Sequence, residues 1–100
     1  MGNFQRISTT QAKQLIAQGD IAIVDVRDGQ SYHNGHIDQA ILLDNSSVNQ
    51  FIASTEKSTP VLVYCYHGNS SQNAAQFLFE QGFAEVYSMD GGFEAWRQQD

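Results

Sequence analysis

Cysteine occurs once in the chain, at position 65, and its neighbours make it the first residue to consider for chemistry. Residues 61 to 71 read Val-Leu-Val-Tyr-Cys-Tyr-His-Gly-Asn-Ser-Ser. An apolar run delivers Cys65 into a short loop of polar and small residues, and a helical pattern follows from Ser71 to Gln81. A thiol at a strand-to-helix junction meets the unpaired N–H groups and the positive dipole end of that helix. This geometry stabilises a thiolate or a bound anion. Most lone cysteines are buried and inert. Here, however, the apolar run ends at Tyr64, and Gly68, Asn69 and Ser70 are turn formers. Gly68 and Asn69 tolerate positive φ, so successive N–H groups can converge as an anion-binding nest.

The loop's composition narrows what such a sulfur attacks. Cysteine phosphatases need an arginine fork around the phosphoryl group in flight. No Arg or Lys lies between Tyr64 and Glu80, which disfavours phosphoryl transfer and arsenate reduction. The loop offers backbone donors, the hydroxyls of Ser70 and Ser71, the amide of Asn69, and His67 as its titratable group. Such a set suits a polarizable sulfur anion. His67 is read as a loop-shaping residue with an electrostatic contribution. Tyr66 is placed at the pocket mouth, where its ring can meet a substrate or partner. Arg27 ends a strand at the same edge as Cys65; it either joins the site or makes an ion pair with Asp25 or Asp90. His36 is read as fixing a turn. Metal binding by His33, His36, Cys65 and His67 is disfavoured, because a helix N-terminus repels a cation. Asp28, Asp38 and Asp44 read as caps and turns.

The elements that position Cys65 follow from periodicity. Phe4–Ile7 is extended, and Ser8 or Thr9 caps a helix carrying Ala12, Leu15 and Ile16, closed by Gly19. Ile21–Val26 is a continuous, mostly β-branched run, the mark of a strand buried on both faces. A helical turn is expected from Gln30 to Asn34, a short strand at Ile41–Leu43, and a helix carrying Val48, Phe51 and Ile52. Pro60 precedes the strand that ends at Tyr64. The helix after the loop is expected to bury Ala74, Ala75, Phe77, Leu78 and Phe79. A last strand at Val86–Ser88, the turn Asp90-Gly91-Gly92 and a helix with Phe93 and Trp96 in the core complete the pattern. Strands alternating with helices predict an α/β fold, a central parallel sheet flanked by helices on both faces. Ligand sites in such sheets lie beyond the C-terminal strand ends.

Composition sets outer bounds. One hundred residues fit a single domain spanning 1–100, and 41% hydrophobic content supports a modest core. The net charge of −6, with five dispersed basic residues, argues against nucleic-acid binding. No apolar stretch approaches the roughly 20 residues of a membrane span. With one cysteine and no apolar signal core, the chain reads as cytosolic. Monomer is the default, since no exposed apolar helix face stands out.

With these residues in view, the chain resembles the single-domain rhodaneses, the thiosulfate sulfurtransferases. Cys65-Tyr66-His67-Gly68-Asn69-Ser70 looks like their active-site loop. Asp25-Val26-Arg27-Asp28, followed by Tyr32, Gly35, His36 and Ile37, is similar to their Asp-Val-Arg…Gly-His-Ile motif. Gly91-Gly92-Phe93-Glu94-Ala95-Trp96 resembles their C-terminal signature. The resemblance implies a rhodanese-like fold and a Cys65 thiolate that takes the outer sulfur of thiosulfate, becomes a persulfide, and passes that sulfur to cyanide or a small thiol. It implies no cofactor, and thioredoxin-like dithiol proteins as further acceptors. The six-residue loop matches the sulfurtransferase branch, the phosphatase branch having one residue more. Tyr66, His67, Gly68, Asn69, Ser70 and Arg27 are then the candidate substrate-binding residues. Many members carry Arg or Lys in the loop; here Tyr66 and Ser70 stand instead, which predicts weak thiosulfate binding. The alternative is a non-catalytic sulfur carrier or regulatory module.

Overall fold

A computed structural model describes residues 3–98. Strands and helices alternate: β1 (Gln5–Ile7), α1 (Thr9–Gln18), β2 (Ala22–Asp25), α2 (Gly29–Asn34), β3 (Ile41–Leu42), α3 (Val48–Ser54), β4 (Val61–Tyr64), α4 (Ser70–Glu80), β5 (Val86–Met89) and α5 (Gly92–Arg97). The strands form one sheet in the order β1-β5-β4-β2-β3. Every pairing is parallel. β4 lies at the centre, and all four of its residues are buried, which explains its unbroken apolar sequence.

Alternation along the strands divides the core in two. Val24, Val61, Val63 and Val86 face Phe51 of α3 and Ala75 and Leu78 of α4. Ile7, Ile23, Leu62, Tyr64 and Met89 face Ala12 of α1, with Phe93 and Trp96 of α5 packed half-buried against them. Helices therefore cover both faces. Ser8 starts α1 through a reciprocal capping box: its Oγ accepts the Gln11 N–H at 3.1 Å, and its own N–H donates to the Gln11 side chain at 2.9 Å. Asp28 caps α2 by accepting the Ser31 N–H at 2.9 Å.

One expectation about α4 is corrected. Phe77 is 43% exposed rather than buried. Ala75 and Leu78, three residues apart, occupy the stripe that faces the sheet, and Phe77 falls at its margin. There it lines a shallow groove with Val26, Val48 and Ala74.

The strand order also locates the crevice. After β2 the chain proceeds outward to β3; after β4 it proceeds the other way, to β5. The reversal falls between β2 and β4, whose C-terminal ends therefore flank an open crevice. Asp25 and Tyr64, paired in register, are the last residues of those strands. Among the described residues no helix is long and apolar enough to cross a membrane.

Candidate active site

Cys65 follows directly on β4, at this crevice. Its Sγ accepts two backbone hydrogen bonds, from Gly68 N–H and Ser71 N–H, each at 3.2 Å. The second has a local cause. Asn69 occupies the N-cap position of α4 but makes no side-chain cap bond. A capping side chain would ordinarily take the N–H two or three residues on. Here the sulfur takes the Ser71 N–H and serves as the acceptor at the helix start. The helix dipole and an otherwise orphaned donor thus both act on Sγ.

The thiol is only 2% exposed. Burial pushes its pKa up, but the Ser71 hydroxyl and the N–H groups of Ser71, Gly68 and His67 outweigh burial and hold it below the ordinary 9.0. Cys65 is buried in surroundings that favour its thiolate. Ser71 belongs to this set together with Ser88 of β5, whose Oγ lies 2.8 Å from that of Ser71, both residues being fully buried. Ser70, the neighbouring candidate for substrate binding, is exposed.

Gly68 supplies the loop's positive φ, +96°, whereas Asn69 is right-handed at φ −91°. Of the two residues that tolerate positive φ, only Gly68 uses it. Gly68 also has no room for a side chain, since a Cβ there would lie 2.9 Å from the Gly91 nitrogen. Gln72 Nε2 donates to the Gly68 carbonyl at 2.9 Å and holds that peptide from the helix side. His67 is exposed at the loop's surface.

The loop is fastened from behind by α5. Phe93 N–H donates to the Cys65 carbonyl at 2.8 Å, and Glu94 N–H to the Tyr66 carbonyl at 3.1 Å. Two carbonyls at the loop's start thus cap the N-terminus of α5, while the loop's own N–H groups point to the sulfur. This division sorts the loop's peptides into donors facing the site and acceptors facing away. The Gly91-Gly92 pair makes the approach possible, with φ of +77° and +60°.

Arg27 is buried and committed to Asp25. Its Nη2 and Nε donate to Asp25 Oδ2 at 2.7 and 3.0 Å, and Nη2 also donates to the Gly35 carbonyl at 2.6 Å. Its guanidinium lies 4.2 Å from the centre of the Phe93 ring. Tyr64 completes this layer: its hydroxyl accepts the Ile37 N–H at 3.1 Å, and burial with the nearby Asp25 carboxylate pushes its pKa well above the ordinary range. The ion pair is the Asp25 one of the two partners considered; Asp90 pairs instead with Arg6 at 2.9 Å.

Tyr66 stands at the mouth, 39% exposed, its hydroxyl hydrogen-bonded to Asp28 and 3.0 Å from Ser31 Oγ. Tyr66 and Ser31 draw the Asp28 pKa down to about 2. Arg27, Tyr66, Gly35, Phe93 and Arg97 line a cavity of about 250 Å³ beside the loop. A larger open cavity, about 610 Å³, lies against Ile21, Ala22 and Pro60, where β2 and β4 begin, away from the chemistry. His36 packs its ring on Tyr32 at 3.9 Å and bonds the Tyr32 carbonyl through Nδ1 at 2.7 Å, a turn-fixing arrangement.

The chain, with its five-stranded parallel sheet and a cysteine-bearing loop between β4 and α4, is matched by one family model, the rhodanese-like domain, over residues 8–99. The chain belongs to the rhodanese-like family. It is 50% identical to the thiosulfate sulfurtransferase GlpE of Shewanella oneidensis, over 98% of this chain and 97% of that one. It is 56% identical to the thiosulfate sulfurtransferase GlpE of Pseudomonas entomophila, over 97% of this chain and 88% of that one. Among solved structures, the rhodanese-like domain of the Anabaena Alr3790 protein superposes with a TM-score of 0.81 at 28% identity, covering 97% of this chain and 74% of that one.

Proposed function

We propose that this chain is a thiosulfate sulfurtransferase working through a persulfide on Cys65. The observation that carries the reading is the convergence of the Gly68 and Ser71 N–H groups on Sγ at the start of α4. The relatives named as thiosulfate sulfurtransferases support it.

The chemistry follows from that geometry. The Cys65 thiolate attacks the outer sulfur of thiosulfate. A new S–S bond forms on Sγ, the S–S bond of thiosulfate breaks, and its electron pair leaves with sulfite. Cys65 is left as a persulfide anion, so the total charge is unchanged. Cyanide or a thiolate then attacks the outer sulfur, and the persulfide S–S pair returns to Cys65. The loop favours the thiolate form of Cys65, so the reading invokes no general base. Loop N–H groups stabilise the anion in each state without moving. Tyr66, His67, Gly68, Asn69 and Ser70 frame the incoming sulfur.

Arg27 contributes differently from a free anion-binding arginine. Its charge is neutralised by Asp25, so it braces the floor of the site and lines the adjoining cavity. With no other cation in the loop and a net charge of −6, thiosulfate is held weakly, and saturation needs high donor concentration. Small thiols and thioredoxin-like dithiols, in a reducing cytoplasm, suit the acceptor step, and one chain suffices to build the site.

Intact mass after incubation with thiosulfate tests this reading. Gain of one sulfur atom, reversed by cyanide and absent in Cys65→Ser, is the expected result. No gain at high thiosulfate would overturn it. Gain without turnover to cyanide would indicate a sulfur carrier, and phosphate-ester hydrolysis a phosphatase.

A further inference from the structure

Ser88 lies on β5 facing α4, in register with Val63 of β4, and is fully buried. Its hydroxyl makes its side-chain hydrogen bond to Ser71 Oγ, at 2.8 Å. A buried hydroxyl in the second strand from the sheet edge packs no better than the methyl of alanine and carries a desolvation cost. Its place is explained by what it does to Ser71.

The direction of the bond follows from counting protons. Two hydroxyls share one O···O contact, so one proton lies between them and the other points elsewhere. If Ser71 donated to Ser88, the Ser88 proton would need an acceptor, and among the described residues Ser88 has no other side-chain partner. If Ser88 donates to Ser71, the Ser71 proton is free to point at Cys65, whose sulfur already accepts the Ser71 N–H at 3.2 Å. The second arrangement leaves the Ser71 proton for the sulfur, in keeping with the Ser71 hydroxyl's part in favouring the Cys65 thiolate. We propose that Ser88 is a positioning residue for the nucleophile: by donating to Ser71 Oγ it turns the Ser71 hydroxyl proton onto the Cys65 sulfur.

The arrangement makes a chain of donors, Ser88 to Ser71 to sulfur, in which each bond polarises the next. It reaches across from β5 to the β4–α4 loop and involves no charged group. The neighbouring charges, Asp25 and Arg27, neutralise one another, His67 is exposed, and Asp90 is paired with Arg6. This role rests on Cys65 being the nucleophile of the reaction above.

Iodoacetamide alkylation followed across pH reads the thiolate directly, and with one cysteine in the chain the signal belongs to Cys65. Ser88→Ala is expected to move the alkylation midpoint up by roughly half a pH unit. Ser71→Ala shifts it at least as far, and the double variant Ser71→Ala/Ser88→Ala shifts it no further than Ser71→Ala alone. Ser88→Thr and Ser88→Val, alike in shape, provide a second comparison in which Thr keeps the lower midpoint. A native midpoint in Ser88→Ala, or equal shifts with and without Ser71, would overturn the proposal, leaving Ser88 only a packing role. Alkylation needs no thiosulfate, so failure of sulfur transfer in the native protein would count against the functional reading while leaving this comparison intact.

Discussion

The Cα of Gly92 faces the Tyr66 carbonyl so closely that a Cβ there would lie 2.4 Å from its oxygen, and 2.6 Å from the Cys65 oxygen. The α5 turn and the cysteine loop are therefore in backbone contact. No side chain intervenes, and the N–H groups of Phe93 and Glu94 reach the loop carbonyls directly. The C-terminal Gly-Gly pair is part of the wall behind the Cys65 loop.

Gly92→Ala is expected to cost about 2–3 kcal/mol of stability, through overpacking against backbone and a positive φ. Urea denaturation measures it. Sulfur uptake should fall further than stability alone explains, because the displaced atoms are the loop's own carbonyls. Uptake at the native rate in a folded Gly92→Ala protein would contradict this.

A lowered thiol pKa sets a pH window. The fold favours the thiolate, so its contribution to stability is complete above the unfolded thiol's pKa and is lost as pH falls through the folded one. The stability difference between the native protein and Cys65→Ala should therefore grow in favour of the native chain as pH rises through the folded thiol's pKa toward the ordinary 9.0. Sulfur uptake from thiosulfate should rise over the same interval, with its midpoint below the ordinary 9.0. Paired urea titrations and single-turnover rates across pH check both.

Arg27→Met leaves the fully buried Asp25 carboxylate without its cation. Breaking one partner of a buried pair costs about 3–5 kcal/mol, and denaturation should register a loss of that order. Arg27→Lys keeps the charge but forfeits the fork on Asp25 and the bond to Gly35, and should recover only part of the stability. Full recovery would mean that charge alone, not fork geometry, is what Asp25 needs.

Tyr66→Phe removes the hydroxyl from Asp28. The Asp28 carboxyl should then titrate closer to its ordinary 3.8 than to about 2, readable by NMR. Since Asp28 is depressed in the folded state, its contribution is present above the unfolded pKa and disappears as pH falls through about 2. Acid destabilisation between those limits should be shallower in the variant. An unmoved Asp28 midpoint would assign its depression to the Ser31 contacts.

Much of this architecture was legible in the chain because its signals are local. The β-branched run before Asp25, the apolar run before Cys65, the Ser8 cap and the Gly19 stop each depend on neighbours a few residues away. The Cys65 environment was legible for the same reason, as strand, loop and helix are consecutive. Four features were not. Phe77 reads as core in a helix of mixed pattern, because the margin of a buried stripe depends on how the helix is rotated over the sheet. The partnership of Ser71 with Ser88 is set by packing between α4 and β5. The bracing of the loop by Phe93 and Glu94 depends on a close approach that only the folded backbone reveals, though Gly91-Gly92 marks where it occurs. Arg27 sat between two roles until its geometry with Asp25 was visible.

The pairing of β1 with β5 has a kinetic consequence. Asp90 N–H donates to the Ile7 carbonyl at 2.8 Å, and Arg6 meets the Asp90 side chain across 84 residues. The turn they anchor leads straight into the α5 residues that fasten the cysteine loop. Contacts so distant along the chain pay the largest loop-closure entropy and form late. The donors to Cys65 come from its own loop and the start of α4, so they belong to the local stages of folding. The bracing of that loop by α5 is expected to be the last part of the site to become rigid, once the outer strand has docked.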